Sequence, residues 1–535
     1  MPGGHRRMPA IDALCLDKNE GADWAKPLNI MFTVSGDLEN VVKTVVDLPE
    51  SFSAPLRIVI HDESPISRRN FLLILMAISS KDPRVTAELA VNLWYNEYWP
   101  SGYAGALQRM IKSVERNLAG LSNLSGMTPE GLTNPAVFEP FFQQRRVYER
   151  RYGDNTLRFY LTERDCQEML FVSGNEFNII KDGANLESWR PKPWEEKKGP
   201  LRDNWDTLLM CLPPHWREPF CKYHHERVVL PFGSPRNGKC TLGLSEYARI
   251  NPLESWDLRE VLATDAGVPR NDLYGKLFFH VRGLFEKFIV RLQSLKVDFE
   301  IHLCKGADLP KQIAGIRFDR IVAPNLGHSS TMGLQRMLNT FSPLLKSPTD
   351  NPHATLIDVH SSIQQQITDF DSCSMCNPEH SMALRVTLTK PDRLKKFSED
   401  VFLHLTPPIG PSFEEGMCSS RSWKRVLARM ILENFDAAWD FYQKIHRFHA
   451  IAAETGVRMK ANTVVELKPM ALKLRGQDKG SDKANPESQA EFDAVFCFIP
   501  MSDCRYVEWQ KSTIEMATRP TATTGGRHGP NCYED

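Results

Sequence analysis

Two short apolar runs near the amino terminus constrain the fold of this chain more than any other feature. The first begins at residue 28 and breaks at residues 34–37, and the second, residues 56–60, ends at residues 61–63. Between them, residues 38–45 place apolar side chains at helical spacing behind an aspartate in the N-cap position. The order strand, turn, helix, strand and helix is typical of a doubly wound α/β sheet.

The ends of these two strands are the first candidate site. Ligands of such sheets bind at the carboxyl ends of the strands, beside a helix N-terminus whose free amides attract anions. We therefore predict that Ser35, Gly36, Asp37 and Asp62 lie at one edge. The turn has neither a dinucleotide-binding nor a Walker sequence, so its motif indicates neither ligand. Asp62 stands where dinucleotide-binding and methyl-donor-binding sheets place a carboxylate for the ribose, although an exposed loop acid is the other interpretation.

Ser35 directly follows the first strand and precedes a glycine. A serine in this position accepts an acyl group only if a base or an oxyanion site accompanies it. His61, at the end of the adjacent strand, is the candidate base. The alternative is a simple turn in which the Ser35 hydroxyl bonds the nearby backbone.

The composition excludes several classes of protein. The chain has 66 basic and 66 acidic residues, so no global field recruits nucleic acid and a local patch is needed. The first ten residues contain no apolar core, and the longest apolar run, residues 71–78, is too short to span a bilayer. The 12 scattered cysteines are typical of reduced thiols. We expect a soluble cytoplasmic protein without a membrane partner.

The α/β pattern is interrupted and then resumes. Frequent prolines and spaced tryptophans predict a long insertion, after which helical spacing returns from Leu273 to Leu295. Residues 297–304 and 318–323 then have the pattern of two further strands. The predicted fold is a Rossmann-like, mostly parallel sheet that the insertion splits in sequence, with a helical carboxyl-terminal region. The predicted boundaries are 1–110 (first part of the Rossmann-like domain), 111–270 (insertion), 271–375 (second part), 376–477 (helical region) and 478–535 (linker, short apolar segment and disordered tail).

Two clusters allow either a structural or a binding role. Residues 145–151, Arg-Arg-Val-Tyr-Glu-Arg-Arg, form the densest basic run. The run favours a solvated surface helix, with a phosphate-contacting patch as the alternative. The aromatic cluster of Trp94, Tyr95, Tyr98 and Trp99 favours core packing over a platform for stacking bases.

A zinc site is suggested by Cys373 and Cys376, with His353, His360 and His380 nearby in the sequence. Structural zinc usually takes its four ligands from two paired spacings, and only one pair is present. We therefore predict that these cysteines hold no structural zinc. The same reasoning applies to a second loose cluster, which consists of Cys211, His215, Cys221, His224 and His225.

Four segments carry a resemblance to a known family: residues 32–42, 56–62, 231–236 and 273–280. Together they resemble a group of fungal proteins whose amino-terminal domain of unknown function also occurs in dynein axonemal assembly factor 3. The likeness covers most of residues 10–370. Many relatives end in a MYND-type zinc finger, but this chain lacks the necessary run of cysteines.

Within this group the chain is similar to arginine-containing cyclodipeptide synthases of fungal secondary metabolism. Those enzymes join arginine to a second amino acid and take both from aminoacyl-tRNAs. They contain an Asp-Asp-x-x-Glu motif whose nearest match here runs from Asp436 to Asp440, where the second acid is lost and the last is shortened. Bacterial cyclodipeptide synthases also place a nucleophilic serine after the first strand, where Ser35 stands.

The resemblance and the residue pattern together imply a cyclodipeptide synthase that uses arginyl-tRNA and a second aminoacyl-tRNA, without cofactor, metal or DNA. An arginyl side chain requires a carboxylate partner, because its fork of donors pairs best with a bidentate acid. The implied residues are Ser35, His61, Asp436 and Asp440 for catalysis, Gly36, Asp37, Asp62 and Glu63 for substrate binding, and Arg145, Arg146, Arg150 and Arg151 for tRNA binding.

Two alternatives remain open. Gly36, Asp62 and residues 318–321 also fit a methyltransferase that uses S-adenosylmethionine. A non-enzymatic assembly factor, related to dynein axonemal assembly factor 3, would keep the sheet without its ligand.

Overall fold

The structure is a computed structural model built around one large β-sheet with helices on both faces. The residues that it describes are 9–33, 38–62, 66–96, 98–99, 101–121, 135–166, 209, 212, 214–234, 241–242, 251–304, 306, 308–313, 315–324, 326–327, 332–360, 363, 439–465 and 505–512.

Nine of the described strands form the large sheet, in the order β10-β11-β9-β8-β1-β2-β7-β5-β4, and β3 pairs with β6 separately. The strands are β1 (Leu28–Thr33), β2 (Leu56–Asp62), β3 (Tyr98–Trp99), β4 (Arg145–Tyr152), β5 (Asn155–Thr162), β6 (Thr241–Leu242), β7 (Val297–Leu303), β8 (Arg320–Pro324), β9 (Thr355–His360), β10 (Val457–Lys460) and β11 (Arg505–Lys511).

The centre of this sheet is parallel. Each neighbouring pair from β9 to β5 runs in the same direction, whereas β4 and β11 are antiparallel to their neighbours. The predicted strands at 28–34, 56–61, 297–304 and 318–323 are β1, β2, β7 and β8, and they are adjacent. The predicted Rossmann-like, mostly parallel sheet is therefore confirmed. Its central strands are buried on both faces, which explains their nearly continuous apolar sequences.

The helices cover two faces. They are α1 (Glu39–Val46), α2 (Ile66–Ile78), α3 (Pro83–Tyr95), α4 (Ser101–Leu121), α5 (Pro135–Phe142), α6 (Pro214–Glu226), α7 (Leu258–Ala263), α8 (Leu273–Ser294), α9 (Leu309–Gln312), α10 (Leu334–Phe341) and α11 (Phe448–Thr455). Residues 439–445 are also helical. Among the described helices, none combines the length and the apolar character needed to cross a bilayer.

Each face of the sheet has its own core. One cluster contains buried side chains of α1, α2, α3 and α8, and the other contains those of α9, α10, α11 and the helical residues 439–445. The predicted helix from Leu273 is α8, and Asp272 caps it by accepting a hydrogen bond from the Gly275 amide at 2.9 Å. Trp94, Tyr95 and Trp99 are buried, which confirms their predicted place in the core.

The predicted surface helix at residues 145–151 is wrong. These residues form β4, an edge strand that pairs with β5. Tyr148 is buried and its ring packs edge-on against Phe71 at 5.1 Å. Arg145, Arg150 and Arg151 are exposed, and Arg146 is partly buried. One inward aromatic ring is enough to anchor a strand in a sheet, whereas a helix would need a stripe of apolar side chains. The range predicted as an insertion thus contributes β4 and β5 to the main sheet.

A buried ionic network joins the segment before β1 to the edge of the sheet at which the parallel strands begin. Arg320, at the start of β8, donates to both carboxylate oxygens of Glu20 at 2.8 and 2.7 Å, and both side chains are fully buried. Beside it, Asp319 accepts a hydrogen bond from Asn351 at 2.7 Å and lies 2.8 Å from the Lys346 ammonium. Charged groups buried away from water are stable only when they are paired and hydrogen-bonded with other groups of the protein.

Candidate functional site

The carboxyl ends of the parallel strands bring together side chains that are distant in sequence. His61 of β2 lies beside Thr33 of β1 and His302 of β7, and His302 lies beside Tyr160 of β5. Because side chains alternate along a strand, these four project from the same face. The result is a row of polar groups across four strands at the edge where such sheets bind ligands.

His61 is fully buried within this row. Its Nε2 atom lies 2.8 Å from the carbonyl oxygen of Cys304. Since a carbonyl only accepts hydrogen bonds, Nε2 carries the proton and donates it. His61 can therefore act as a base only through Nδ1, so any proton transfer from Ser35 would have to use that atom.

Asp62 is the last residue of β2 and is 2% exposed. It projects from the opposite face to His61, since Ile60 and Ile58, two and four residues earlier, pack in the core beneath α1 and α2. Glu39 lies in the first turn of α1, is also buried, and accepts a hydrogen bond from the Tyr95 hydroxyl at 3.5 Å. Asp62 at the end of β2 and Glu39 in the first turn of α1 are thus two buried carboxylates. Sequence reasoning missed Glu39, although its place directly after the predicted turn was visible.

His302 is the second histidine of the row and was also missed. Its Nδ1 atom lies 3.2 Å from the Gln312 side-chain oxygen, and its ring stacks on Tyr160 at 4.4 Å. Burial alone would raise the pKa of the adjacent Glu300, but the hydrogen bond from His302 and the charge of Arg57 outweigh it and hold that pKa below its usual value. The available signal was positional, because His302 lies two residues before the end of its predicted strand, 297–304, and His61 ends its own.

A second group lies at the ends of β8 and β9. The His360 Nε2 atom is 2.8 Å from Asp358 Oδ2, and its Nδ1 atom is 3.3 Å from the Tyr442 hydroxyl. Rings of Trp439, Tyr442 and Phe448 surround His360 with centroids 5.0 to 5.9 Å away. A cavity of about 600 Å³ adjoins this group. Its lining residues are Gly327, Met332, Gly333, Leu334, Gln335, Arg336, Asn339, Thr340, Tyr442, His446, Phe448 and Ile451.

Several predicted site residues lie outside the described part of the chain. They are Ser35, Gly36, Asp37, Glu63 and Asp436. Asp440 is described and is exposed, whereas Trp439 and Tyr442 of the same helical stretch are buried. Among the described residues, no contact joins Asp440 to His61 or Asp62, so the structure brings only His61 and Asp62 to one strand end.

The arginines of β4 already have partners. Arg146 donates to Glu163 at 2.8 Å, and Arg145 donates to Gln312 at 2.9 Å. Arg151 pairs with Glu149 at 3.2 Å, and the Arg150 guanidinium lies 4.9 Å from the centre of the Tyr148 ring. These contacts leave exposed donors on a surface of mixed charge.

The zinc candidates are separated. His353 precedes the start of β9 and His360 ends it, so these two histidines lie at opposite edges of the sheet. Cys373, Cys376 and His380 lie outside the described residues, as does Cys211 of the second cluster. In the part of the chain that the structure describes, no group of three or more metal-ligating side chains comes together. The absence of zinc at Cys373 and Cys376 stays a prediction.

Comparison with known proteins identifies one region. No curated protein and no solved structure matches the chain. Residues 5–99 match the model of a family described as a domain of unknown function, DUF4470. The matched region contains β1, α1 and β2, and therefore Glu39, His61 and Asp62.

Proposed function

We propose that this chain binds an adenosyl methyl donor at the carboxyl edge of its sheet and is a methyltransferase-like protein. The order of the strands carries the proposal. Taken in chain order, β1, β2, β7, β8 and β9 occupy the sheet as 3-2-1-4-5, which is the order of a nucleotide-binding sheet. Beyond them, the antiparallel β11 separates β9 from β10. A reversed strand in this position is typical of methyl-donor-dependent methyltransferases, and this support is an analogy between folds.

The topology also supports a position for the ligand. The chain builds β2 and β7 on one side of β1 and then crosses to β8 on the other side, so the order reverses between β1 and β8. Ligands of open α/β sheets bind in the crevice at such a reversal. Asp62 ends β2, beside β1, where a carboxylate can accept hydrogen bonds from ribose hydroxyls.

The described side chains fit this ligand chemically. Asp62 at the end of β2 and Glu39 in the first turn of α1 are buried carboxylates, and neither lysine nor arginine ends β1, β2 or β7. An acid in the first turn of α1 occupies the helix end that would otherwise attract a phosphate. This charge pattern disfavours phosphate-bearing dinucleotides and suits a cationic nucleoside without phosphate. When bound, S-adenosylmethionine supplies an electrophilic methyl group on its sulfonium sulfur.

Titration calorimetry with S-adenosylmethionine and S-adenosylhomocysteine tests the proposal. We expect the wild-type protein to bind both ligands, and NAD⁺ more weakly. Asp62→Asn should weaken binding at least about tenfold, because a charge-assisted hydrogen bond contributes roughly 1.5–3 kcal/mol. The matched control is Asp298→Asn, which changes a partly exposed acid at the start of β7 that pairs with Arg57 and Arg158.

Absence of binding to the wild-type protein at millimolar donor would refute the proposal. An equal loss of affinity in both variants would exclude Asp62 as a specific partner of the ribose.

The cyclodipeptide synthase and assembly-factor hypotheses stay predictions. Four segments of this chain, defined in the sequence analysis, support a relation to the family that includes dynein axonemal assembly factor 3. The proposed nucleophile of the synthase hypothesis, Ser35, lies outside the described residues. Incubation with arginyl-tRNA followed by intact-mass analysis distinguishes them, since a synthase that uses Ser35 gains an arginyl adduct that Ser35→Ala lacks. An assembly factor gains none and binds no methyl donor.

A further inference from the structure

The cavity at the ends of β8 and β9 has a polar and an apolar wall. Met332, Leu334, Phe448 and Ile451 supply apolar surface, and Gln335, Arg336, Asn339, Thr340 and His446 supply polar groups. A volume of about 600 Å³ lies within the range of small-molecule sites. Acidic groups nearby are already engaged, since Glu454 contacts Gln335 at 3.0 Å and Arg447 at 3.3 Å.

A chain of three titratable side chains lies behind the cavity wall. The Asp358 carboxylate is fixed by the Val359 amide, which donates to its Oδ1 atom at 2.8 Å. Its Oδ2 atom is 2.8 Å from His360 Nε2, although the angle of this contact is too bent for a regular hydrogen bond. His360 Nδ1 then meets the Tyr442 hydroxyl at 3.3 Å. With the proton held on Nε2 beside the carboxylate, Nδ1 is left to accept the phenolic proton.

Two features connect this chain of groups to the cavity. Tyr442 is part of the cavity wall while its hydroxyl bonds His360. Gly327 also lines the cavity, and a Cβ atom there would collide with the Asp358 carboxylate and lie 3.2 Å from His360 Cε1. The Asp358–His360 pair therefore lies directly beneath the wall. The surrounding aromatic rings exclude water, which strengthens interactions between charged groups.

We propose that this cavity binds a small ligand that carries an acidic group and a hydroxyl or amine, and that Tyr442 is its acid–base residue. His360 and Asp358 are positioning residues, since they act through the Tyr442 hydroxyl. Arg336 offers an exposed guanidinium for the acidic group of the ligand. None of these residues belongs to the donor site around Asp62, so the proposal holds whether or not a methyl donor binds.

A reactive probe tests the acid–base role without knowledge of the natural ligand. We choose 4-(fluorosulfonyl)benzoic acid, whose carboxylate suits Arg336. In the reaction, the Tyr442 oxygen forms a bond to sulfur, the S–F bond breaks, and fluoride leaves. The phenolic proton passes to His360 Nδ1, so the products are an aryl sulfonate ester, fluoride and an imidazolium.

Because Tyr442 is only 1% exposed, we expect peptide mass spectrometry to show slow modification of Tyr442 that unreactive benzoate suppresses. Benzoate should leave modification of Tyr152, a partly exposed tyrosine at the end of β4, unchanged. His360→Gln and Asp358→Asn should slow modification of Tyr442 at least about tenfold, because removal of a general base costs roughly 10²–10⁴ in rate. Arg336→Gln should raise the concentration of the carboxylate probe that gives half-maximal labelling by about fivefold or more. The same variant should leave labelling by uncharged benzenesulfonyl fluoride unchanged. Unreactive benzoate should protect Tyr442.

Modification of Tyr442 that benzoate slows no more than it slows modification of Tyr152 would overturn the proposal. Equal labelling in a folded His360→Gln variant, judged by circular dichroism, would overturn it as well. Benzoate protection is measured on the wild-type protein, so it remains decisive if a variant does not fold, and its absence counts against the site. Binding of S-adenosylmethionine at Asp62 is measured separately by calorimetry. Failure of the methyl-donor proposal is therefore distinguishable from failure of the proposal for the cavity beside Tyr442.

Discussion

Polar side chains are buried in different ways at the two ends of the parallel strands. We call the end at which the strands begin the amino edge, and the end at which they finish the carboxyl edge. At the amino edge, Arg320 and Glu20 form a two-pronged pair, and Arg320 also donates to the carbonyl oxygens of Leu14 and His353. At the carboxyl edge, buried histidines and acids lie beside a cavity or beside strand ends that bind ligands in related sheets. The comparison separates polar groups that stabilise the fold from those available to a ligand.

The physical difference is the choice of partner. The amino edge matches a guanidinium with a carboxylate of complementary geometry, so its charges are neutralised within the protein. The carboxyl edge joins acids to imidazole and phenol groups, which are types of side chain that serve as general acids and bases in enzymes. We therefore expect substitutions at the amino edge to affect stability first, and those at the carboxyl edge to affect binding or reactivity.

The largest expected effect follows loss of the Arg320 side chain. Arg320→Met leaves Glu20 buried without its counter-ion, so the free energy of unfolding should fall by about 3–5 kcal/mol. Urea unfolding followed by tryptophan fluorescence measures the change. The control is Arg57→Gln, because Arg57 is partly exposed and its contacts with Asp298 and Glu300 are 3.7 and 3.6 Å, so its loss should cost less than about 1 kcal/mol. Equal losses of unfolding free energy in Arg320→Met and Arg57→Gln would contradict the distinction between a buried ion pair at the amino edge and an exposed one.

The next effect is a pH dependence at the same edge. Burial raises the pKa of Asp12 to about 6, although the Leu14 and Cys15 amides donate to its carboxylate and act in the opposite direction. Because the folded pKa is above the unfolded value of 3.8, folding favours the protonated acid. This stabilising contribution is complete below about pH 4 and is lost as the pH rises through 6.

We expect Asp12 to lower the free energy of unfolding by about 2–3 kcal/mol between pH 4 and pH 7. Asp12→Asn should remove this component, so the difference between wild type and variant should change with pH in urea titrations at pH 4, 5, 6 and 7. A difference that is constant across this range would show that Asp12 is not buried as an acid with a raised pKa.

The smallest expected effect on stability concerns the arginines of β4. Changing Arg145, Arg150 and Arg151 to glutamine should alter the free energy of unfolding by at most about 1 kcal/mol, since these side chains are exposed. Arg146 is kept in this variant, because it is partly buried and pairs with the buried Glu163. If the synthase hypothesis holds, the same variant should bind tRNA more weakly and with a shallower salt dependence, because fewer counterions are released. Filter binding at several salt concentrations measures both quantities.

The matched control removes the same number of exposed arginines elsewhere. It changes Arg84, Arg116 and Arg270 to glutamine. Equal weakening in both variants would indicate a general effect of charge rather than a patch on β4.

Prediction from sequence succeeded for the parts of the fold that short segments encode. The alternation and helical spacing of apolar residues located β1, β2, β7, β8 and α8 to within two residues, because burial on a strand or helix face follows from local periodicity. It failed at β4, where a single inward tyrosine anchors a strand otherwise composed of charged residues. The candidate site was found only in part, through His61 and Asp62.

The amino-acid sequence by itself therefore determined the parallel centre of the sheet, the long helix α8 and the chemistry at the end of β2. Only the tertiary structure decided which distant groups meet. Glu20 and Arg320 are 300 residues apart, and His360 and Tyr442 are 82 residues apart. The reversed β11 beside β9 likewise joins segments that no local pattern links. Such contacts depend on the order in which strands pair and on how helices cover them, because hydrophobic burial specifies that a side chain is inside but not which partner it meets.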